Sequence, residues 1–183
     1  MARNVRMVVA DPRRCLGCKS CEIQCAMAHC EARTLEEAMH MDSPPQARVH
    51  VEAAGQYGMP IQCQHCEDAP CVAICPTGAI AMGPDEQPPV LLDRDRCIGC
   101  RFCVLVCPFG VIDLSRDGKA MIKCDLCIQR TKAGEEPACV AACPTGALQF
   151  KELDEDVRRR RREAALSLAG GPDAEGGKGP GRP

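Results

Sequence analysis

Aromatic side chains are nearly absent from this chain of 183 residues. It contains no Trp, one Tyr and three Phe. Aromatic side chains normally supply much of the buried area of a protein core. A conventional apolar core is therefore hard to build, and the sequence predicts that something else fills the interior.

Long apolar runs are also missing, and none approaches the roughly 18 residues that a transmembrane helix needs. The first ten residues, MARNVRMVVA, show neither a secretory signal nor a twin-arginine pattern before an apolar stretch. We therefore expect a cytoplasmic protein without a transmembrane segment. A peripheral position on a membrane complex is compatible with this expectation.

An excess of basic charge is the third thing that the sequence lacks. It has 23 Lys and Arg against 25 Asp and Glu, and its formal net charge is −2. Nucleic-acid-binding proteins need a basic patch or stripe. The charge balance therefore predicts that nucleic acid is not a partner.

What the sequence has in abundance is cysteine, with 17 residues. Such a density in a short secreted protein would indicate a disulfide scaffold, but nothing here points to secretion. Sixteen of the cysteines form an internal repeat of four motifs, each with four cysteines. Motif one is Cys15, Cys18, Cys21 and Cys25; motif two is Cys63, Cys66, Cys71 and Cys75; motif three is Cys97, Cys100, Cys103 and Cys107; motif four is Cys124, Cys127, Cys139 and Cys143.

The spacing within motif three is C-x2-C-x2-C-x3-C-P, the run that wraps a cubane cluster in bacterial ferredoxins. Three cysteines curl around one cluster, and the fourth is expected at the start of a helix that leads to the other cluster. Pro76, Pro108 and Pro144 follow the last cysteines of motifs two to four, and each opens a turn with glycine. The repeat therefore predicts [4Fe–4S] clusters.

Other uses of cysteine fit the spacing less well. Zinc sites also use C-x2-C pairs, but they have no use for a C-x2-C-x2-C run followed by C-P. Cysteines two residues apart are poorly placed to form disulfides with one another. A radical enzyme that cleaves S-adenosylmethionine would show C-x3-C-x2-C, and no such triplet is present.

Short strands are predicted next to the motifs, and two longer segments look helical. The first helix is expected over 25–41, with Thr34 and Glu37 spaced as a capping box, and the second over 154–169. The Gly- and Pro-rich segment 170–183 is expected to be disordered. The strands are expected at 6–10, 48–52, 79–82, 90–93, 111–114, 120–122 and 147–150, with Asp117-Gly118 as a turn.

The order of the four variant motifs resembles the four-cluster electron-transfer subunits of bacterial redox complexes. Motif two has a widened gap before Cys71, and motif four has an insertion before Cys139. Motif one lacks the proline that follows the last cysteine of the other motifs, and Ala26 stands in its place. This family includes the iron–sulfur subunits of dimethyl sulfoxide reductase, formate dehydrogenase and formate hydrogenlyase. The stretches ADPRRCLGCKSCEIQCAMAH and CQHCEDAPCVAICPTGAI are most similar to the subunit that serves carbon monoxide dehydrogenase.

The resemblance implies an α+β fold of two bacterial-ferredoxin-like modules, with short β-hairpins and helices around four [4Fe–4S] clusters. Module one would comprise residues 1–53 and 123–153, with motifs one and four. Module two would comprise residues 54–122, with motifs two and three. The basic helix 154–169 and the tail 170–183 would follow.

The family's motif pairing and the exchange of the fourth cysteine imply the ligand sets. Each set takes three cysteines from one motif and one from its paired motif. Cluster a would be held by Cys15, Cys18, Cys21 and Cys143; cluster b by Cys124, Cys127, Cys139 and Cys25; cluster c by Cys63, Cys66, Cys71 and Cys107; cluster d by Cys97, Cys100, Cys103 and Cys75.

The implied function is to carry single electrons between a catalytic redox subunit and a second acceptor or donor. The catalytic subunit would be a carbon monoxide dehydrogenase, hydrogenase, formate dehydrogenase, aldehyde oxidoreductase or similar enzyme. No acid–base pair or substrate pocket is evident, so no catalytic residues are predicted. A freely diffusing polyferredoxin is the first alternative, and an iron–sulfur regulatory protein is the second, although no DNA-binding pattern supports it.

A few residues outside the sixteen ligands leave two interpretations open. Cys30 is either an incidental thiol or a spare ligand or redox sensor. His65 either tunes a nearby cluster or is a surface histidine, and the same choice applies to Lys123 and Arg130. The run Arg158–Arg162 is either a solvated helix face or a contact for an anionic partner or lipid.

Overall fold

The computed structural model describes residues 6–84 and 89–168 as short helices and two-stranded sheets around the cysteine motifs. The described strands are β1 (Arg6–Ala10), β2 (Val49–Ala54), β3 (Tyr57–Gln62), β4 (Ile80–Met82), β5 (Val90–Leu92), β6 (Ile112–Leu114), β7 (Met121–Lys123) and β8 (Leu148–Glu152). The described helices are α1 (Ser20–Ala28), α2 (Leu35–Met39), α3 (Pro70–Ala73), α4 (Phe102–Val106), α5 (Ile128–Lys132), α6 (Ala138–Ala141) and α7 (Leu153–Leu168).

The strands form four antiparallel pairs, which are β1 with β8, β2 with β3, β4 with β5, and β6 with β7. The seven predicted strands are confirmed to within about two residues at their ends. The predicted turn at Asp117-Gly118 joins β6 to β7, and Gly118 has a φ of 71°. The fold is therefore an α+β arrangement of small hairpins, as predicted.

Strand β3 was missed by the sequence analysis. A proline inside a run argues against a strand, because proline cannot donate to the ladder. Pro60 nevertheless lies opposite Val51 in the hairpin of β2 and β3. Each strand of a two-stranded sheet keeps one free edge, so a residue without an N–H is tolerated there.

The predicted helix over 25–41 is wrong as a single element. Helix α1 ends at Ala28, and α2 begins at Leu35. Thr34 starts the second helix, because its hydroxyl oxygen accepts a hydrogen bond from the backbone N–H of Glu37 at 3.1 Å. The capping residues were thus read correctly, but they mark a new helix rather than the interior of a long one.

Helix α7 confirms the predicted C-terminal helix up to Leu168. Arg159 pairs with Glu163 at 2.5 Å, and Arg159 to Arg162 are exposed. Ala169 and the predicted tail 170–183 lie outside the described residues. Across the described residues, none of the helices combines the length and apolar character that a membrane crossing requires.

Two separate clusters of buried side chains make up the core, and cysteines belong to both. One joins the N-terminal part of the protein to the region after β7; it contains Val8, Cys21, Cys25, Val49, Leu126, Cys139, Val140 and Leu148. The other is built from the residues that lie in sequence between these two segments; it contains Ala69, Cys71, Ile80, Val90, Cys103, Ile112 and Met121. Thiol groups therefore occupy positions that aromatic side chains fill in ordinary cores.

Polar contacts connect the two core clusters. Gln46 donates a hydrogen bond to the carbonyl of Leu114 at 3.3 Å and accepts one from the backbone N–H of Arg116 at 2.6 Å. The ring of His50 lies 3.1 Å from the carboxylate of Asp113. These contacts hold β2 and the segment before it against the hairpin of β6 and β7.

Candidate cluster-binding sites

Two cavities are each lined by four of the predicted ligands. Cys15, Cys18 and Cys21 of motif one face the first cavity together with Cys143 of motif four. The second cavity is lined by three cysteines of motif three and one of motif two, namely Cys97, Cys100, Cys103 and Cys75. In both cavities, three cysteines of one motif thus meet the fourth cysteine of another.

Seven of the remaining eight predicted ligands influence one another electrostatically, and the eighth, Cys66, packs against the core cluster that contains Cys71. Burial raises the pKa of Cys139, and the thiolates of Cys124, Cys25 and Cys127 raise it further. Burial likewise raises the pKa of Cys71, which the thiolates of Cys63 and Cys107 also raise.

Buried thiols with raised pKa values resist deprotonation unless a cation compensates the charge. Burial raises the pKa of Cys124 to about 12 and that of Cys103 to about 11. Thiolates are the ligands of iron–sulfur clusters, and a metal deprotonates the thiols that bind it. The donor set therefore fits [4Fe–4S] clusters, which supply reversible one-electron chemistry when bound.

Backbone N–H groups point at cysteine sulfurs in every motif. Such bonds stabilise thiolate and favour the reduced state of a cluster. The bonds run from Gly17 to Cys15 (3.5 Å), His65 to Cys63 (3.5 Å), Met121 to Cys97 (3.4 Å), Leu126 to Cys124 (3.4 Å), Leu148 to Cys143 (3.5 Å) and Arg48 to Cys25 (3.2 Å).

The loops curl because the second residue after the first cysteine of each motif has a positive φ. In motifs one and three this residue is glycine, with φ of 66° at both Gly17 and Gly99. In motifs two and four it is His65 (47°) and Leu126 (57°), which adopt this conformation at a steric cost. Loops of this kind turn successive N–H groups inward and form a concave site for an anionic group.

The expected position of the fourth cysteine was wrong. Cys75, Cys107 and Cys143 follow α3, α4 and α6 rather than beginning a helix. Each stands directly before a proline, and the residue before proline is biased away from α-helical backbone. Helix α1 runs past Cys25 to Ala28 because Ala26 replaces that proline.

His65 is not a surface histidine. Its Nδ1 accepts a hydrogen bond from the backbone N–H of Val90 at 3.0 Å, so Nε2 carries the ring proton. Burial and then the charge of Lys123 lower the pKa of His65 to about 3. Nε2 is buried without a hydrogen-bond partner among the described residues, and an N–H in that state suits a site that contains sulfur acceptors.

Lys123 and Arg130 also differ from each other. Lys123 is only 3% exposed, whereas Arg130 lies at the surface and pairs with Glu135 at 2.8 Å. Cys30 lies outside both core clusters, and its thiol donates to the carbonyl of Met27 at 3.3 Å. This local bond at the end of α1 favours the incidental thiol over a spare ligand.

The structure contains a network that the cysteine spacing did not predict, centred on Asp125 between Cys124 and Cys127. Its carboxylate accepts a hydrogen bond from Arg48 at 2.6 Å and one from Nε2 of His29 at 3.1 Å. Nδ1 of His29 donates to the carbonyl of Cys25 at 2.7 Å. An acidic residue inside a C-x2-C pair, beside anionic ligands, was the signal that could have indicated it.

The pKa shifts of His29 and Asp125 indicate that the side chains of this network are charged. Burial lowers the pKa of His29, but hydrogen bonds to Asp125, Cys127 and Cys25 raise it to about 12. Burial raises the pKa of Asp125, yet the bond from His29 and the charge of Arg48 hold it well below the usual range. The three side chains therefore tie α1, β2 and motif four together as charged partners.

We expect the substitution Asp125→Asn to destabilise the protein by roughly 2 kcal/mol, because two cations lose their partly buried, charged partner. The midpoint for thermal loss of visible cluster absorbance should fall by several degrees. The matched control is Asp113→Asn, which removes a carboxylate that is 45% exposed from His50. That change should cost at most about 1 kcal/mol, and equal effects of the two variants would contradict a structural role for the Asp125 network.

Comparisons with known proteins identify the same kind of site from the sequence. A family model described as "4Fe-4S dicluster domain" matches residues 54–153, and one described as "4Fe-4S binding domain" matches residues 12–28. The sequence is 42% identical to an iron–sulfur protein of Rhodospirillum rubrum over 161 residues, covering 81% of this protein and 83% of that one.

Two similar proteins are named as subunits of reductases. The sequence is 38% identical to the thiosulfate reductase electron transfer subunit PhsB of Salmonella typhi, covering 86% of this protein and 81% of that one. It is 36% identical to the B subunit of the anaerobic dimethyl sulfoxide reductase of Escherichia coli, covering 85% of this protein and 77% of that one. Because these matches span most of both proteins and the two family models together include all four cysteine motifs, this protein belongs to the [4Fe–4S] dicluster family of iron–sulfur proteins that carry electrons for oxidoreductases.

Proposed function

We propose that the protein holds four [4Fe–4S] clusters through exchanged ligands. The observation that carries the proposal is the grouping of three cysteines from one motif with the fourth from another. The proposed sets are cluster a (Cys15, Cys18, Cys21, Cys143), cluster b (Cys124, Cys127, Cys139, Cys25), cluster c (Cys63, Cys66, Cys71, Cys107) and cluster d (Cys97, Cys100, Cys103, Cys75).

The two modules are part of this proposal, with residues 1–53 and 123–153 in module one and 54–122 in module two. The division is supported by the two core clusters, one built from residues 8–49 and 126–148 and the other from residues 69–121. It is also supported by the pairing of β1 with β8, which joins the two sequence segments of module one.

The residues of the protein perform three tasks in electron transfer. Thiolates would bind the iron, backbone N–H groups face the sulfurs, and the full or partial burial of all ligands except Cys18 and Cys100 limits access of water. A fixed environment of this kind reduces the rearrangement that accompanies each change of charge. The protein itself then has no substrate to convert, and a partner supplies and removes the electrons.

Cys18 and Cys100 mark the positions where we propose that electrons enter and leave. They are exposed, whereas the described cysteines of motif four are buried or half-buried. Exposed apolar side chains flank both sites, with Leu16 at 74% and Ile98 at 66% exposure. Apolar surface beside an accessible ligand suits contact with the redox centre of another protein.

The proposed partners are a catalytic redox subunit and a second acceptor or donor. A carbon monoxide dehydrogenase, hydrogenase, formate dehydrogenase or aldehyde oxidoreductase is the class of enzyme that we propose. Leu105 (82% exposed), Phe102 and Phe109 add apolar surface next to motif three. This surface favours a stable complex over a freely diffusing polyferredoxin, and co-purification with a redox enzyme distinguishes the two.

We also propose that the protein works in the cytoplasm. Seventeen thiols without a disulfide are compatible with a reducing compartment. Cluster ligands must stay reduced until iron and sulfide are inserted.

Metal and sulfide analysis tests the proposed function. Protein purified without oxygen should contain about sixteen iron and sixteen sulfide per molecule, since each of four cubane clusters holds four of each. The control variant Cys30→Ser should give the same values, because Cys30 belongs to no proposed set. About eight iron per molecule would reduce the proposal to two clusters, and zinc without sulfide would overturn it.

A further inference from the structure

Lys123 lies buried at the border between the two core clusters. Its ammonium group donates hydrogen bonds to the carbonyl of Val90 and to that of Cys124, the latter at 2.7 Å. Val90 belongs to the core built around motifs two and three, and Cys124 is the first cysteine of motif four. The side chain therefore joins the two halves of the protein at a point that water does not reach.

The ammonium of Lys123 donates its described hydrogen bonds to carbonyl groups rather than to a carboxylate. Among the side chains that the structure describes, no carboxylate forms an ion pair with it. Lysine is almost never fully buried unless it is paired, because removing an ammonium from water is costly. Two carbonyl groups satisfy its hydrogen bonds but supply no net negative charge.

Neighbouring charged groups do not neutralise it. Arg48 and His29 are themselves cations and share the single carboxylate of Asp125. His65 receives the N–H of Val90 on Nδ1 and contributes a polar ring without charge. Among the described residues, the cysteine ligands on either side are therefore the remaining source of negative charge to balance Lys123.

The positive charge of Lys123 acts on cysteine ligands from both halves of the protein. Burial raises the pKa values of Cys71 and Cys124, and the charge of Lys123 acts in the opposite direction on each. Cys71 belongs to motif two and Cys124 to motif four, so one cation influences two proposed ligand sets. The hydrogen bonds give the same placement, since the ammonium touches the backbone of Cys124 and that of Val90, which packs in one buried cluster with Cys71. Lys123 thus occupies the position of a shared counter-ion.

We propose that Lys123 is the common counter-ion of clusters b and c and makes both easier to reduce. The proposal rests on the ligand sets of the proposed function. An added electron increases the negative charge of either cluster, and a fixed cation between them stabilises it in both positions. The electron that leaves one cluster arrives on the other, and no covalent bond forms or breaks.

The test compares cluster reduction in three variants by spectroscopic redox titration of the intact protein. Lys123→Gln removes the charge but keeps an N–H donor, and Lys123→Arg keeps the charge. The matched control is Lys119→Gln, which removes an exposed ammonium from the turn between β6 and β7. Iron content is measured for every variant, so that a lost cluster is not mistaken for a shifted one.

We expect Lys123→Gln to lower the equilibrium constant for reduction of two clusters at least tenfold, which is about 59 mV for a one-electron couple. The potentials of the other two clusters should stay unchanged in Lys123→Gln. In Lys123→Arg and Lys119→Gln, the potentials of all four clusters should stay close to those of the unaltered protein. If Lys123→Gln loses iron while Lys123→Arg keeps all clusters and their potentials, the charge is required and the proposal stands.

Two results would overturn it. One is four clusters in Lys123→Gln with unchanged potentials, or with shifts no larger than those of Lys119→Gln. The other is equal loss of iron from the Gln and Arg variants, which would make Lys123 a packing residue. Failure of the proposed function looks different, because the unaltered protein would then hold fewer than four clusters before any lysine is changed.

Discussion

Removal of iron by a chelator under anaerobic conditions should unfold most of the protein. Cysteines are members of both core clusters, and the largest fully buried side chains are aliphatic or Met rather than aromatic. Binding of a structural metal contributes about 10–16 kcal/mol in small zinc domains. That is as much as the total stability of about 5–15 kcal/mol of a typical protein.

Circular dichroism in the far ultraviolet measures the effect directly. We expect the chelated protein to lose most of its helical and strand signal and to show no cooperative thermal transition. Reconstitution with iron and sulfide should restore both, which controls for irreversible damage. An apoprotein that still melts cooperatively would show that the apolar residues of the two cores suffice without the clusters.

The substitution Cys75→Ser should alter cluster d and leave cluster c intact. Cys75 belongs to motif two by sequence, but its side chain lines the cavity that Cys97, Cys100 and Cys103 also line. A serine oxygen is a harder ligand than a thiolate, so it favours the oxidised cluster or releases one iron. Loss of one iron or a lowered potential is therefore expected for that cluster alone.

Spectra of two reference variants identify the affected cluster. Cys97→Ser changes a ligand of cluster d within motif three, and Cys63→Ser changes a ligand of cluster c within motif two. The spectrum of Cys75→Ser should match that of Cys97→Ser, while Cys30→Ser should leave the protein unchanged. A match to Cys63→Ser instead would mean that each motif binds its own cluster and that the exchanged arrangement is wrong.

The cysteine spacing predicted the chemistry of the site and much of the local backbone. A C-x2-C-x2-C run requires a tightly curled loop, and glycine at positions 17 and 99 supplies the positive φ that such a loop needs. The same local reasoning found seven strands, because short alternating segments bounded by turn residues carry their signal within a few positions. Motif pairing, in contrast, came from the resemblance to a family.

Burial and distant partners were decided by the tertiary structure alone. His29 and Arg48 lie 96 and 77 positions before Asp125, yet all three share one ion network. In the sequence, Lys123 is simply the residue before Cys124. Its burial becomes evident only from the structure, in which the backbone of Val90 packs against its ammonium group. Local sequence determines which backbone shapes are accessible, but the environment of a charge depends on segments that fold against it from elsewhere.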